Sequence, residues 1–354
     1  MNYKKILVTG GAGFVGSHVC LNLKEHFQNI EVTALDNLIR KGSELNIPRL
    51  GIAGVRFVKG DVRNREDLDM EGIDLIIECS AEPSIMAGIT SSPEYLLDTN
   101  LGGAINCFEL ARRNKADVIF ISTSRIYPVK YLNDLKYIEK ETRFELGENQ
   151  AIPGVTTEGI SESFPLTGTR TLYGATKLSA ELLLQEYIEN YGIHGVINRC
   201  GLISGPWQMG KVDQGVIVYW FAHHIFRKPL AYFGFGGKGK QVRDVLHIDD
   251  LLQLLLLQIQ NIGAFNNQIY NVGGGRENSI SLLELTKLCE DITGNTVEFT
   301  LKKENRPGDV RMYITDNSYI ENKTDWKPKK SIKDTGEDVY KWMIEHKKHL
   351  EHIL

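Results

Sequence analysis

The sequence has few cysteines, no long apolar run and no excess of charge of one sign. Its 354 residues include only five cysteines. An odd number of cysteines without close spacing provides neither a disulfide framework nor a metal knuckle. The pattern predicts reduced, mostly buried thiols in a cytoplasmic protein, at Cys20, Cys79, Cys107, Cys200 and Cys289.

The most apolar stretch is LLQLLLLQIQ, which begins at Leu251. Gln253 and Gln258 interrupt it, and it is too short to cross a bilayer. The N-terminal segment MNYKKILVTGG enters a strand almost at once and ends in glycines, so it predicts no signal peptide. We therefore expect no membrane partner.

The charges are nearly balanced, with 41 Lys and Arg against 45 Asp and Glu and a net charge of -4. This balance gives no electrostatic case for binding nucleic acid or an anionic membrane, so an anionic ligand needs local basic side chains. We also expect no metal. His223 and His224 are adjacent and point to different faces of a helix, and His247 beside Asp249 is interpreted as structural.

Short runs that are apolar at every residue alternate with helical patterns in the first half of the chain. Fully apolar strands are typical of a parallel sheet covered on both faces, and the alternation predicts a doubly wound, Rossmann-type α/β fold. Past residue 200 the chain is less regular, which indicates a smaller C-terminal substrate-binding lobe. We predict strands at 5–8, 31–35, 55–58, 75–77, 118–122 and 195–198, and helices at 14–25, 95–114 and 173–191.

Three glycines follow the first predicted strand directly. Gly10, Gly13 and Gly16 have the spacing G-x-x-G-x-x-G, and a helix follows them. One glycine makes the tight turn, another lets the backbone approach a pyrophosphate, and the third lets the helix pack on the strand. The helix N-terminus then presents N–H groups to phosphates. The sequence thus predicts a dinucleotide site.

Asp36 ends the second strand, 20 residues past Gly16. A carboxylate there binds both ribose hydroxyls of NAD and repels a 2′-phosphate. Arg40 and Lys41 leave NADP open, because they either meet a 2′-phosphate or lie in a solvated loop. We favour NAD. Asp61, after the third strand, either holds the adenine edge or is a turn residue. Further predicted cofactor-binding residues are Phe14, Val15, Asn37, Val62, Ala81, Asn100 and Ser122.

Tyr173 and Lys177 stand at i and i+4, on one face of a predicted helix. A lysine ammonium near a tyrosine favours the phenolate. Since free tyrosine titrates near pH ~10, a base at neutral pH needs a shift of roughly three units, or ~4 kcal/mol. Y-x-x-x-K alone also fits an ordinary amphipathic helix. Ser122, Thr123 and Ser124 end strand five, where parallel sheets bind ligands.

Together, the glycine turn, Asp36, the strand-five hydroxyls and the Tyr173–Lys177 pair resemble the extended short-chain dehydrogenase/reductase family. The resemblance covers nearly the whole chain and implies a nucleotide-sugar substrate. NAD would remove hydride from a sugar carbon while Tyr173 takes the hydroxyl proton and Thr123 holds the oxygen. Hydride then returns to the other face of the keto sugar, and the cofactor is recycled.

Within the family, several distinctive segments are similar to CDP-paratose 2-epimerases of lipopolysaccharide O-antigen biosynthesis. That similarity implies a CDP-hexose substrate and conversion of CDP-paratose to CDP-tyvelose at carbon 2. The segments are DNLIRKGSELN from Asp36, LKYIEKETRF from Leu135, VDQGVIVYWF from Val212, GKQVRDVLHIDD from Gly239 and NVGGGRENSISLLEL from Asn271.

The resemblance also implies nucleotide contacts. Arg243 matches an arginine that meets the diphosphate, and Arg306 and Asp309 match a segment that closes over the nucleotide. Arginine forks suit phosphate oxygens, while salt bridges to Asp244 or Asp249 are the alternative. The predicted substrate-binding set is Ser124, Arg199, Gln214, Arg243, Arg306 and Asp309, with Trp207 assigned either to the sugar lobe or to the core.

Strand five departs from the closest pattern. Ser124 and Arg125 stand where an asparagine and a lysine are expected. Related 4,6-dehydratases carry an Asp-Glu pair after the threonine, and related decarboxylases carry a glutamate at the Arg125 position, so neither reaction is favoured. A 4-epimerase or reductase acting on another nucleotide sugar stays open, as does a non-catalytic NAD sensor. Intact Thr123, Tyr173 and Lys177 argue against the sensor.

The predicted domains are an NAD-binding Rossmann domain at 1–199 and a lobe at 200–354 that mainly binds the nucleotide sugar. The first domain includes a long loop at 128–171, and we expect segments near 240–272 to return to it. Helices near 100–113 and 173–189 form a subunit-pairing face in many relatives, which implies a homodimer or homotetramer.

Overall fold

The computed structural model describes residues 3–89, 91–211 and 214–354. A seven-stranded sheet dominates it, with the strands β1 Lys5–Thr9, β2 Glu31–Asp36, β3 Arg56–Lys59, β4 Leu75–Glu78, β5 Asp117–Thr123, β8 Gly195–Cys200 and β12 Gln268–Val272. Their order in the sheet is β12-β8-β5-β4-β1-β2-β3. β1 pairs in parallel with β2 and β4, in the registers Ile6 to Val32 and Ile6 to Leu75. The predicted doubly wound fold is confirmed.

The shorter strands form smaller sheets. These strands are β6 Tyr137–Glu139, β7 Phe144–Leu146, β9 Leu202–Ser204, β10 Leu230–Phe233, β11 Val242–His247, β13 Ser279–Ser281, β14 Phe299–Lys302 and β15 Met312–Tyr313. β11 is antiparallel to β13 and parallel to β9 and β15, β10 is parallel to β14, and β6 is antiparallel to β7.

The helices are α1 Phe14–His26, α2 Ile47–Ile52, α3 Glu94–Leu97, α4 Gly103–Asn114, α5 Val129–Asn133, α6 Leu172–Tyr191, α7 Val216–Phe226, α8 Ile248–Gln260, α9 Leu282–Thr293, α10 Ser318–Lys323, α11 Ile332–Glu345 and α12 Lys347–Leu350. None that the structure describes is both long and apolar enough to cross a membrane.

Two regions differ from the predicted elements. The helix expected at 95–114 is interrupted by a π-helical segment, Asp98–Gly102, between α3 and α4. π segments are rare and often occur at functional sites. The expected loop at 128–171 contains α5, β6 and β7. The sequence did not indicate these elements, because the segment is polar and each element is only three to five residues long, too short to show a period.

The chain forms two compact units. Unit 1 comprises Met1–Thr123, Leu172–Arg199 and Leu252–Ile269, and unit 2 comprises Ser124–Thr171, Cys200–Leu251 and Tyr270–Leu354. The segment that includes 128–171 thus groups with unit 2 rather than with residues 1–123. Assigning NAD to one part and substrate to the other remains a prediction.

Each unit has its own apolar core. In unit 1, Leu7 and Ile76 from the sheet pack with Phe108 of α4 and Leu184 of α6, all fully buried. Burying such side chains contributes roughly 1.5–3 kcal/mol each. In unit 2, Tyr232 stacks on Phe299 with ring centroids 4.6 Å apart, which fixes β10 against β14.

Candidate active site

The turn after β1 is built from glycines that no other residue could replace without a backbone shift. Gly10 has φ +60°, and Gly13 N donates to Gly10 O over 2.9 Å. A Cβ at Gly16 would lie 2.1 Å from Gly10 O, and one at Gly13 would lie 3.0 Å from the same oxygen. The helix therefore packs directly on the turn, as the spacing predicts.

The first turn of α1 provides the N–H groups of this cradle. Gly13 is the N-cap and offers no side chain to cap them, and Phe14 and Val15 follow as the first helical residues. α1 has 13 residues, so its N-terminal dipole is well developed. Backbone that can approach closely, together with uncapped N–H groups, fits the pyrophosphate of a dinucleotide.

Asp36 is held against this turn. Its Oδ2 accepts from Ala12 N at 3.1 Å and its Oδ1 accepts from Leu38 N at 2.8 Å. Burial raises the pKa of Asp36, and the backbone N–H donors oppose the rise. The carboxylate is thus fixed at the carboxyl end of β2, where it suits a ribose diol and opposes a 2′-phosphate.

Asp61 lies in a polar cluster with Asn37. Asn37 Nδ2 donates to Asp61 Oδ2 at 2.9 Å. Arg63 forms a bidentate ion pair with the same carboxylate, from Nε to Oδ1 at 3.0 Å and from Nη2 to Oδ2 at 2.7 Å. The hydrogen bond from Arg63 is the main cause that lowers the pKa of Asp61 to about 2. Val62 is buried, and its carbonyl accepts from Asn106. The structure therefore brings Asn37 and Asp61 together.

Asn100 fixes the backbone just after Ala81. Its Oδ1 accepts from Glu82 N at 2.7 Å and its Nδ2 donates to Glu82 O at 3.0 Å. Asn100 is buried and belongs to the π-helical segment. The π-helical segment therefore directs the Asn100 side chain at both the N–H and the C=O group of Glu82.

Tyr173 lies in the first turn of α6, half-buried, and Lys177 follows one turn later with only 2% of its surface exposed. Lys177 Nζ donates to Glu78 Oε2 at 3.2 Å and to Ile121 O at 3.0 Å. Burial lowers the pKa of Lys177, but the charges of Glu78 and Tyr173 outweigh it and leave that pKa raised. The ammonium therefore stays charged beside the tyrosine.

Glu181, which the sequence analysis missed, connects two predicted site residues. The Ser122 hydroxyl donates a hydrogen bond to Glu181 Oε1, and Arg199 donates to Glu181 Oε2 from Nε at 3.0 Å and from Nη2 at 2.8 Å. Glu181 follows Lys177 by four residues, so it was detectable as a third polar position on one helix face. Arg199 is only 4% exposed, which favours a structural role for it. Thr123, also buried, ends β5 beside Ser122.

In unit 2, the residues predicted to bind the nucleotide lie close together. Arg243 Nη2 donates to Asp309 Oδ1 at 2.8 Å and to Val310 O at 2.8 Å. The anticipated alternative partners for this arginine were Asp244 and Asp249, whereas its ion pair is with Asp309. Arg306 lies over the ring of Phe233, with its guanidinium carbon 3.6 Å from the ring centroid. Cationic and aromatic groups in this arrangement suit a nucleotide.

Arg125 belongs to the same region. Its Nη1 donates to Gly308 O at 3.2 Å, so it holds the turn between Arg306 and Asp309. Ser124 precedes it in a short 3₁₀ turn, Ser124–Ile126. Gln214 is also in unit 2, and its backbone pairs with that of Lys211 through hydrogen bonds of 2.8 and 3.0 Å. The structure thus groups Arg125 with Arg306 and Asp309.

Other candidates have structural surroundings. Trp207 packs on Trp342 and His346, at 5.9 and 4.6 Å between ring centroids, which favours its assignment to the core. Within the described ranges, no cluster of three or more His, Cys, Asp or Glu side chains is arranged to hold a metal.

Comparison with known proteins decides the family. The family model described as the NAD dependent epimerase/dehydratase family matches residues 6–273. The chain belongs to this family. It is 33% identical over 350 residues to the CDP-paratose 2-epimerase of Salmonella typhi, covering 96% of this chain and 98% of that protein.

Two further relatives place it among epimerases. The UDP-glucose 4-epimerase of Neisseria meningitidis serogroup B is 26% identical over 367 residues, covering 96% of this chain and 97% of the relative. The crystal structure of UDP-glucuronic acid 4-epimerase from Bacillus cereus, in complex with UDP-glucuronic acid and NAD, is 26% identical with a TM-score of 0.78. That match covers 96% of this chain and 99% of the other. These three relatives are similar to the chain along almost their whole length.

Proposed function

We propose that this protein is an NAD-dependent nucleotide-sugar epimerase, and that its substrate is CDP-paratose, which it converts to CDP-tyvelose at carbon 2. The observation that carries the reaction type is the Tyr173–Lys177 pair on α6, with a buried, charged lysine beside the tyrosine. The similarity to the Salmonella typhi CDP-paratose 2-epimerase supports the substrate.

The cofactor fits the cradle described above. The turn at Gly10, Gly13 and Gly16 would hold the pyrophosphate, Asp36 the ribose, and Asn37 with Asp61 the adenine end. Bound NAD supplies hydride removal and return at one sugar carbon. Because Asp36 opposes a 2′-phosphate, we expect preference for NAD over NADP.

The chain itself moves the proton. Tyr173 takes the proton of the reacting hydroxyl and later returns it, and the Lys177 ammonium favours the phenolate that this requires. Thr123 at the end of β5 donates a hydrogen bond to the same sugar oxygen. These groups perform both half-reactions, so no further acid or base is required.

Arg243 and Arg306 are assigned to the nucleotide diphosphate. Arg243 already has one carboxylate partner, Asp309, so a phosphate competes with that carboxylate or shares the guanidinium with it. Asp309 and Gln214 remain candidate substrate ligands in unit 2. Ser124 and Arg125, which replace an acid pair after Thr123, favour epimerisation over loss of water.

Epimerisation of a UDP-sugar at carbon 4 is the second candidate. Its support is the similarity to UDP-sugar 4-epimerases at 26% identity over nearly the whole chain. The two candidates share the cofactor and Tyr173, so only the substrate separates them.

The deciding experiment is proton NMR of CDP-paratose mixed with the purified protein and no added cofactor. Appearance of the carbon-2 epimer would establish the reaction and a resident, recycled NAD. Turnover of UDP-glucose or UDP-glucuronic acid instead would support the second candidate. NAD released on denaturation without turnover of either class would reject both substrates.

Tyr173→Phe is the control for mechanism. It removes only the hydroxyl, so NAD should still be released in parent amounts on denaturation. We expect turnover to fall by about 10²-fold or more, the range for losing a general base. A variant that keeps full activity would reject Tyr173 as the base.

A further inference from the structure

Glu78, which forms a buried ion pair with Lys177, is not among the predicted site residues. Both side chains are almost fully buried, with 1% and 2% of their surface exposed. Glu78 is the last residue of β4, in the otherwise apolar run LIIE. A carboxylate in such a place is costly unless it is paired, so its retention calls for a reason.

The contacts of Lys177 suggest that reason. An ammonium has three N–H donors. One goes to Glu78 and one to Ile121 O, and the face of Phe120 lies 4.5 Å away on another side. These neighbours fix the ammonium from two strands, β4 and β5, and leave a single N–H.

Glu78 is itself held in place. The hydroxyl of Ser80 donates to Glu78 Oε1, so the other oxygen, Oε2, is the one that faces Lys177. The carboxylate therefore has one defined orientation. Ser80 follows Glu78 by two residues in the segment that leaves β4.

We propose that Glu78 is a positioning residue of the active site, which fixes the Lys177 ammonium so that its one remaining N–H serves Tyr173 or the cofactor ribose. The inference rests on the proposed roles of Tyr173 and Lys177. Glu78 acts through Lys177 and does not touch the reacting atoms.

The pair also keeps Lys177 charged. Four ionisable groups face the Lys177 ammonium. They are Glu78 at the end of β4, Cys79 directly after β4, Tyr173 on α6 and Cys107 on α4. Burial raises the pKa of Cys107 well above its usual range, so this thiol stays neutral. Burial alone lowers the pKa of Lys177, and Glu78 is the main group that opposes it.

Glu78→Gln tests this directly, because it keeps the shape and removes the charge. In the parent, we expect the raised pKa of Lys177 to keep its ammonium charged, and the enzyme active, on the alkaline side. In the variant the opposing charge is gone, so the pKa falls and Lys177 loses its proton at lower pH. We expect the alkaline limb of kcat to move down by about one pH unit or more, with KM within about twofold of the parent.

Glu181→Gln is the matched control, since Glu181 is an equally buried carboxylate on α6 that pairs with Arg199. It should lower stability without moving the alkaline limb. Equal movement of the limb in both variants, or an unchanged profile in Glu78→Gln, would overturn the proposal.

Glu78→Asp provides a second test if the glutamine variant does not fold. It keeps the charge but shortens the reach to Nζ, so we expect a parent-like alkaline limb with kcat lowered by about tenfold. Parent kcat in this variant would show that the position of the carboxylate is immaterial. If Tyr173→Phe is fully active, the proposed function fails; if only the Glu78 variants match the parent, this inference alone fails.

Discussion

Glu181→Leu should be among the most destabilising single substitutions in unit 1. The change removes a carboxylate that receives two N–H groups of Arg199 at 3.0 and 2.8 Å and the hydroxyl of Ser122. The Arg199 and Glu181 side chains are only 5% and 1% exposed. Removing one member of a buried ion pair takes from the other charge its main partner, which costs about 3–5 kcal/mol.

The assay is urea unfolding with the same excess of NAD in every sample and with the NAD affinity of each variant measured, so that the contribution of cofactor binding can be subtracted. Glu181→Leu combined with Arg199→Met removes both charges and should recover most of the loss, because apolar replacement of a whole pair is often neutral. Asp291→Asn removes an exposed partner of Lys287 and should leave the midpoint unchanged.

Two outcomes would refute this reasoning. The free energy of unfolding of Glu181→Leu could lie within about 1 kcal/mol of the parent value, which would mean that water or another group compensates the charge of Arg199. Alternatively, the double variant could be less stable than the single one. The pair would then contribute through its shape and hydrogen bonds rather than through charge.

Three other changes give separate tests. Gly16→Ala places a Cβ 2.1 Å from Gly10 O, so the amount of NAD retained after gel filtration should fall at least about tenfold. In the control, Gly51→Ala, the new Cβ has no heavy atom within 4 Å, and the amount of NAD retained should equal that of the parent. Asp36→Asn should reduce the preference for NAD over NADP in equilibrium binding by about tenfold or more, and unchanged selectivity would exclude Asp36 as the ribose ligand. Arg125→Gln frees the Gly308 carbonyl, so KM for the nucleotide sugar should rise several-fold at constant NAD content, and an unchanged KM would argue against that link.

The sequence predicts the parts of the fold and site that depend on local pattern. The β1 turn is one case, because Gly13 and Gly16 are both required by their close approach to Gly10, only three and six residues away. Tyr173 and Lys177 are another, since four residues of helix bring them to one face. The first five strands lie within a residue or two of their predicted bounds for the same reason.

Long-range pairs were not predictable in this way. Glu78 and Lys177 are 99 residues apart, and nothing in the run LIIE indicates which cation its carboxylate meets. Arg199 reads as a basic residue near a predicted site, but its partner Glu181 makes it part of the interior. The π-helical segment Asp98–Gly102 was hidden because its residues fit a regular helix equally well.

Unit 1 is assembled from three separate stretches of chain, and this affects its synthesis. Its last stretch, Leu252–Ile269, contributes Gln258, whose amide exchanges two hydrogen bonds of 2.8 Å with Asn198 on β8. Domains usually fold as units while the chain is made, N-terminal first. Here about three quarters of the protein must leave the ribosome before β8, which lies between β5 and β12, can pair with β12. Until then β8 lies at an edge of the sheet, where its unpaired N–H and C=O groups are open to pairing with other chains.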